Sequence, residues 1–322
     1  MARRMALRHG LRSMSNNVNN RAASEIVETA QRQRRMEGMV AVVTGAGTYI
    51  PGLGNGMATA ALLAMHGARV ALVDLKAERM DATVAMVSEH AGAENVIAVE
   101  ADVATPEGCA RVIDATTAAF GPSIDTLVNN VGRVGEMGRI ESLTKEGFEQ
   151  TLSQNVTSMM LMSQAVLPRM PTGTYAARSK SSIVNISSVR GMRGAVGLSG
   201  YCASKGAVDM LTETLALETG PRGIRVNSVR LGMVTTPLVD EAFGAVPGEA
   251  SADEARKAAV LRNLHEHRDA QLSLLARQGD SWDCAHAVLY LASEDARFVH
   301  GSKLNVDGGH ALGADDETLF MP

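Results

Sequence analysis

A single doubly wound α/β domain, built on one parallel sheet of about seven strands with helices on both faces, is predicted by three features of the sequence. Short runs of Val, Ile and Leu recur without polar alternation, as in strands covered on both faces. From Met39 onward these runs alternate with helical stretches, the connection pattern of parallel strands. The first run ends on a cluster of glycines that leads directly into a helix. A chain of 322 residues, 45% hydrophobic and 20% charged, can bury a core of this size without disulfides or metals.

The elements follow in order. MVAVVTG (39–45) is a buried strand, Gly56 to His66 a helix, and ARVALVD (68–74) the second strand. Lys76 to Glu89 is helical, and NVIAVEADV (95–103) is a strand. Pro106 to Phe120 is a helix, with Pro at a first-turn position where its missing N–H costs nothing. IDTLVNNVG (124–132) is a strand with a polar end, and Glu146 to Arg169 one long helix. SSIVNISS (181–188), IRVNSV (224–229) and KLNVDGG (303–309) are the remaining strands, with a helix over Ala203 to Glu218 between the first two. One domain therefore spans residues 39–312, between an N-terminal extension (1–38) and a C-terminal tail (313–322). Residues 237–271 interrupt the alternation as an insert with helical stretches. Phe243 and Val246 suit a lid over an apolar pocket, and such lids close over substrate.

Composition excludes several function classes. Lys+Arg number 31 against 35 Asp+Glu, a net charge of −4, which gives no electrostatic reason for a nucleic-acid partner. No apolar run is long enough to span a bilayer. Three cysteines, Cys109, Cys202 and Cys284, lie far apart without a CxxC, which suits a reducing compartment such as the cytoplasm and suggests no metal site. The first 24 residues carry five arginines and no acid. That is a transit-peptide composition, which leaves mitochondrial targeting open; a disordered extension or an early start codon is the simpler reading. His265-Glu266-His267 places its histidines two apart on a helix, on nearly opposite sides, so they cannot share a metal. No GxSxG occurs, which removes the usual hydrolase elbow.

In a Rossmann-type sheet, ligands bind at the carboxyl ends of the strands. Gly45, Gly47, Gly52, Gly54 and Gly56 supply a turn free of side chains, so that N–H groups and the positive end of the following helix face a pyrophosphate. Asp74 ends the second strand, where a carboxylate accepts hydrogen bonds from a ribose diol and repels a 2′-phosphate, favouring NAD over NADP. Lys76 and Arg79 nearby argue the other way, and Asp74 also suits a plain helix N-cap.

The later half carries Tyr201-x-x-x-Lys205, with Ser188 thirteen residues before the tyrosine, LVNNVG (127–132), SQNVTS (153–158) and NVDGG (305–309). Residues four apart share a helix face. A phenol has a pKa of about 10, and an adjacent ammonium is expected to lower it by roughly 1–3 units. Ser188, at a strand end in the same cleft, would hold the reacting oxygen.

Together these motifs resemble the short-chain dehydrogenase/reductase family, over a stretch from about Met36 to Gly309. The resemblance implies an oxidoreductase that moves a hydride between a secondary alcohol or ketone and a nicotinamide cofactor, NAD before NADP. It implies Tyr201 as acid/base, Lys205 as pKa modifier and nicotinamide-ribose ligand, Ser188 as oxygen binder and Asn155 in a proton relay. Cofactor contacts carried over are Gly45, Gly52, Leu53, Gly54, Asp74, Asp102, Val103, Asn130, Gly132, Val234 and Thr236. Asn129 would tie neighbouring strands. A homodimer or homotetramer through helices 146–169 and 203–218 is also implied. An NADP-dependent carbonyl reductase, a dinucleotide sensor without turnover and a non-redox lyase are the alternatives on this scaffold.

Two departures from the family pattern stand out. Against TGxxxGxG, the reading Thr44-Gly45…Gly52-Leu53-Gly54 has three extra residues, with Thr48 to Pro51 bulging. Leu231 replaces the proline of the usual PG pair before Gly232. Arg190, Arg193 and Arg230 flank the site and suit either an anionic substrate or a solvated surface.

Overall fold

The computed structural model describes residues 34–48, 52–173, 180–236, 273–275 and 277–313. The 237–271 insert, the loop residues 49–51, the His265-Glu266-His267 cluster and nearly all of both terminal extensions lie outside them. The described strands are β1 (Val40–Thr44), β2 (Arg69–Asp74), β3 (Val96–Glu100), β4 (Thr126–Asn129), β5 (Ser182–Ser188), β6 (Arg225–Leu231) and β7 (Lys303–Val306). They form one seven-stranded sheet in the order β3-β2-β1-β4-β5-β6-β7. Every pairing is parallel. The helices are α1 (Asn55–Met65), α2 (Asp81–Ala91), α3 (Pro106–Phe120), α4 (Lys145–Leu152), α5 (Ser158–Val166), α6 (Ser199–Thr219), α7 (Ser281–Ala292) and the short α8 (His310–Gly313).

The unalternating apolar runs have the expected cause. In β1, Ala41 and Val43 face one buried layer while Val40 and Val42 face the other. Burying a Val, Leu or Ile side chain is worth about 1.5–3 kcal/mol, so a strand covered on both faces favours apolar residues at successive positions, and the polar residues it does bury, such as Asn129 and Asn185, are hydrogen-bonded to one another. The first layer holds α1, α2 and α7, the second α3, α5 and α6. Helix α1 buries all its residues from Gly56 to Met65; its alanines let it sit close to both the sheet and α7.

Three expectations change. The single helix expected over 146–169 is interrupted by a π-helical turn, Ser153–Thr157, between α4 and α5. Such one-turn widenings are frequent at functional sites. Helix α6 starts at Ser199 rather than 203, which puts Tyr201 inside it. Helix α7 has no counterpart in the sequence reading. Its signal is nevertheless present: Asp280 and Asp283 form a reciprocal capping box, an N-terminal signature that precedes the apolar stretch. Among the described residues no helix is long and apolar enough to cross a membrane.

Arg225 opens β6 and is 7% exposed. Its guanidinium donates to the carbonyls of Leu291 (2.5 Å), Ala292 (3.2 Å) and Ser293 (3.2 Å), the C-terminal end of α7. Helix-end carbonyls have no partner within their own helix, so one planar donor group satisfies three of them. Arg225→Met is expected to lower unfolding stability by about 3 kcal/mol, read in urea melts, because buried acceptors are left unpaired. Arg225→Lys is expected to restore only part, since a point charge cannot span three carbonyls. Equal stability of the Met variant and the wild type would contradict this role.

Candidate active site

The carboxyl ends of β1, β2, β4, β5 and β6 border one cleft of about 1240 Å³. It lies across the point where strand order reverses between β1 and β4, the usual ligand position in such sheets. Gly45, Gly54, Asp74, Asp102, Val103, Asn130, Gly132, Ser188, Tyr201, Lys205, Val234 and Thr236 all line it. Gly52 and Leu53 do not border it. Asn155 lies behind its wall, fully buried.

At one end, Gly45 leaves β1 with φ +62°, a conformation that suits glycine. Gly54 caps α1, with no side-chain cap and no acidic residue in the first turn. The N–H groups at the start of α1 are thus left without a side-chain acceptor. The glycine of close approach is Gly56: a Cβ there would fall 2.1 Å from the Gly45 carbonyl oxygen and 2.6 Å from Asn130 Nδ2. Gly54, by contrast, has open space around its Cβ position. The close-packing glycine is therefore Gly56, two residues beyond Gly52-Leu53-Gly54. Gly54 is the N-cap of α1, so Gly52-Leu53-Gly54 leads into the helix as the reading with three extra residues expects. The first part of the loop folds toward β2. Gly47 N–H donates to Asp74 Oδ2 at 3.1 Å, and Thr48 N–H to the Arg79 carbonyl at 2.9 Å.

Asp74 also accepts the Leu75 N–H at 2.8 Å and lies 3.6 Å from Arg79 Nη1. Asp102 accepts the Ala104 N–H at 2.9 Å, holding the turn after β3 so that the Val103 backbone faces the cleft. Asn130 spends its side chain on structure: Nδ2 donates to the carbonyls of Gly45 (2.9 Å) and Thr44 (3.2 Å). It locks the β1 turn against β4, and only its backbone is left to face a ligand. Asn129 ties strands as expected, donating to Asn185 Oδ1 at 2.9 Å and Ser163 Oγ at 3.2 Å.

At the other end, Ser188 terminates β5. Its Oγ donates to the Leu231 carbonyl at 3.3 Å and accepts the Arg190 N–H at 3.2 Å. Leu231 itself stays in register with both Ser188 and Val306. A strand flanked on both sides uses the backbone N–H that proline lacks, so Leu for Pro extends β6 to the cleft edge rather than distorting it. Beyond it, Val234 bridges to Gly279, fixing the approach to Thr236.

Tyr201 and Lys205 stand one turn apart on α6. Lys205 is 4% exposed, donates to the Ile186 carbonyl at 2.8 Å and lies 5.7 Å from the centre of the Tyr201 ring. A Cβ on Gly132 would come within 3.2 Å of the ammonium, so glycine there leaves room for it. Asn155 Oδ1 accepts the Arg133 N–H at 2.7 Å, while Nδ2 donates to the Arg133 carbonyl (2.8 Å) and Ser204 Oγ (2.9 Å). Its amide thereby braces the β4 loop against α6.

The electrostatics reverse one expectation. Burial pushes the Tyr201 phenol above its ordinary value, against the hydrogen bond from Ser188 and the charge of Arg190, which pull it down. Burial also holds Lys205 down, to about 8, with Asp209 pulling it back up. The lysine was expected to depress the phenol. Instead its ammonium is bonded to a carbonyl, and desolvation outweighs the neighbouring charges.

The sequence reading missed Thr44 as a site residue. Its Oγ1 accepts the Asn130 N–H at 3.1 Å. Gly47, Gly56, Arg79 and Arg190, each singled out in the sequence near the site, also line the cleft.

Comparison with known proteins gives consistent matches. A family model described as enoyl-(acyl carrier protein) reductase matches residues 52–311. The 2-(R)-hydroxypropyl-CoM dehydrogenase of Xanthobacter autotrophicus is 36% identical over 275 residues, covering 84% of this chain and 98% of that protein. Levodione reductase of Leifsonia aquatica is 33% identical over 283 residues, covering 88% and 98%. The solved structure of a short-chain dehydrogenase/reductase from Burkholderia xenovorans superposes with a TM-score of 0.75 at 34% identity, covering 87% of this chain and 99% of that one.

Proposed function

The chain belongs to the short-chain dehydrogenase/reductase family and is an oxidoreductase with a nicotinamide cofactor, and from that premise we propose that it interconverts a secondary alcohol and a ketone with NAD. The observation that carries this reading is one cleft holding Ser188, Tyr201 and Lys205 at one end and Asp74 with the unblocked start of α1 at the other. Two similar proteins, a dehydrogenase of a 2-hydroxypropyl compound and a reductase of levodione, support the substrate class.

The residues fit a dinucleotide. A Cβ at Gly56 would close the β1 turn, and a helix N-terminus free of acidic side chains suits a pyrophosphate. Asp74 would hold the ribose diol, Asp102 and Val103 the adenine end, Asn130 and Gly132 the adjoining ribose through backbone, Lys205 the nicotinamide ribose, and Val234 and Thr236 the carboxamide. Gly45 and Gly52 to Gly54 complete the turn. When bound, the cofactor supplies or accepts the hydride. Ser188 holds the substrate oxygen. Tyr201, keeping its proton in this buried setting, delivers it to a carbonyl oxygen as reduction proceeds, or takes it back in the reverse direction. Lys205 places positive charge beneath the ring, and Asn155 braces the loop that faces it.

Assays with a panel of secondary alcohols and ketones, followed by the absorbance of reduced nicotinamide, test the reaction class; no change with any pair would contradict it. NAD is expected to exceed NADP in kcat/KM, because a 2′-phosphate would meet the Asp74 carboxylate. Asp74→Ala is expected to shift that preference toward NADP by about 10- to 100-fold, the worth of a charged hydrogen bond. A wild-type preference for NADP would overturn the assignment. A homodimer or homotetramer belongs to this reading, supported by apolar side chains exposed on α5 and α6: Met160, Met210 and Leu217. Sedimentation of the purified chain as a monomer would contradict it. We place the protein in the cytoplasm, with mitochondrial import of the Arg-rich N-terminus as the alternative.

A further inference from the structure

Of the three arginines that flank the site, the structure leaves one aimed at the reaction. Arg230 is committed to Asp209, Nε to Oδ2 at 2.8 Å, with both side chains largely buried. Arg193 holds its turn through the Val189 carbonyl at 3.0 Å and does not border the cleft. Arg190 lines the cleft together with Ser188 and Tyr201. Its backbone is fixed to the serine itself, N–H to Oγ at 3.2 Å, so the guanidinium moves with the oxygen-binding turn. It is half-buried, and its side chain makes one long hydrogen bond, Nη1 to the Gly194 carbonyl at 3.4 Å. No carboxylate among the described residues pairs with it. The carboxylates bordering the cleft are engaged elsewhere: Asp74 with Gly47 and Arg79, Asp102 with its own turn, and Glu149 with Lys145 at 3.3 Å.

The wall of the same cleft includes the apolar Met137, Val196, Leu198 and Met233, along with the polar Arg133, Gln150 and Gln154. A guanidinium that has given up part of its water beside such a wall binds oxyanions in a planar two-point fashion. Its charge is also felt at the Tyr201 hydroxyl, so it stands within electrostatic reach of the reacting oxygen.

Resting on the oxidoreductase reading above, we infer that Arg190 anchors an oxyanion of the substrate, so that the alcohol or ketone taken by this site carries a carboxylate or similar group a few bonds from its carbinol carbon. The rest of the substrate is apolar and lies against the methionine- and leucine-lined wall.

The test compares 4-oxopentanoate and 5-oxohexanoate with their methyl esters, which keep the skeleton and lose the charge. In the wild type, kcat/KM for the better acid is expected to exceed that of its ester by about 10- to 100-fold, the worth of a hydrogen-bonded charge. Arg190→Met is expected to collapse that ratio toward one, and Arg190→Lys to keep part of it. Acids and esters reduced equally well by the wild type, or a ratio unchanged in Arg190→Met, would overturn the inference while leaving the oxidoreductase reading intact. If neither acids nor esters are reduced, calorimetric titration of the corresponding 4- and 5-hydroxy acids into the cofactor-loaded protein decides. Binding that disappears in Arg190→Met upholds the anchor, and absence of binding to the wild type overturns it. Circular dichroism and unchanged NAD affinity show that the variants are folded.

Discussion

Tyr201→Phe is expected to reduce turnover by about 10²–10⁴-fold, the span ascribed to a positioned general acid or base, with NAD affinity changed little. The expectation follows from placement. Tyr201 and Ser188 border the same cleft, and Ser188 has no acidic proton of its own to give. Phenylalanine keeps the ring and its packing on α6 and removes only the proton. Stopped-flow and steady-state measurements at matched pH separate the chemical step from cofactor binding. A Phe variant with undiminished turnover would remove Tyr201 from the mechanism and leave the cleft a binding site only.

Lys205→Met is expected to be nearly as damaging, and its pH behaviour is the more informative part. Burial lowers the Lys205 pKa from 10.5 to about 8. An activity that needs the ammonium is therefore present below about pH 8 and lost as pH rises through it. Lys205→Arg, which stays charged at any accessible pH, is expected to carry that limb to higher pH even if its geometry lowers the maximum. The stability consequence has the opposite sign. Between about pH 8 and 10.5 the unfolded chain binds the proton that the folded chain has released, so this group's contribution to stability rises with pH across that window. Activity falling while stability holds or improves above pH 8 is a pairing that general alkaline unfolding does not give. A high-pH limb that is identical in the wild type and Lys205→Arg would contradict the assignment.

Much of this architecture was written into local patterns. The strands were legible because a strand buried on both faces carries apolar residues at successive positions, as in Val40 to Val43. Tyr201, Lys205 and Ser188 were legible because their spacing only makes chemical sense on a strand end and the helix that follows. What sequence could not show was which groups spend their hydrogen bonds on structure. Asn130 reads as a cofactor contact, and only the structure shows its amide clamped on the Gly45 turn. The bonds that the Asn155 amide makes to the Arg133 backbone were likewise not readable from sequence. The effect of Lys205 on Tyr201 was misjudged for a related reason. Residue spacing reports proximity, whereas burial, which dominates both pKa values, depends on everything packed around the pair. The position of the close-packing glycine was ambiguous because five glycines crowd the loop, and only the approach of α1 to the Gly45 carbonyl singles out Gly56.

The most direct test of the central claim uses a secondary alcohol substrate carrying deuterium on its carbinol carbon, mixed in single turnover with the NAD-loaded protein. Mass spectrometry of the nicotinamide product is expected to show one deuterium transferred to the ring from carbon, with none arriving from solvent. Ketone formed without label in the cofactor would contradict the account.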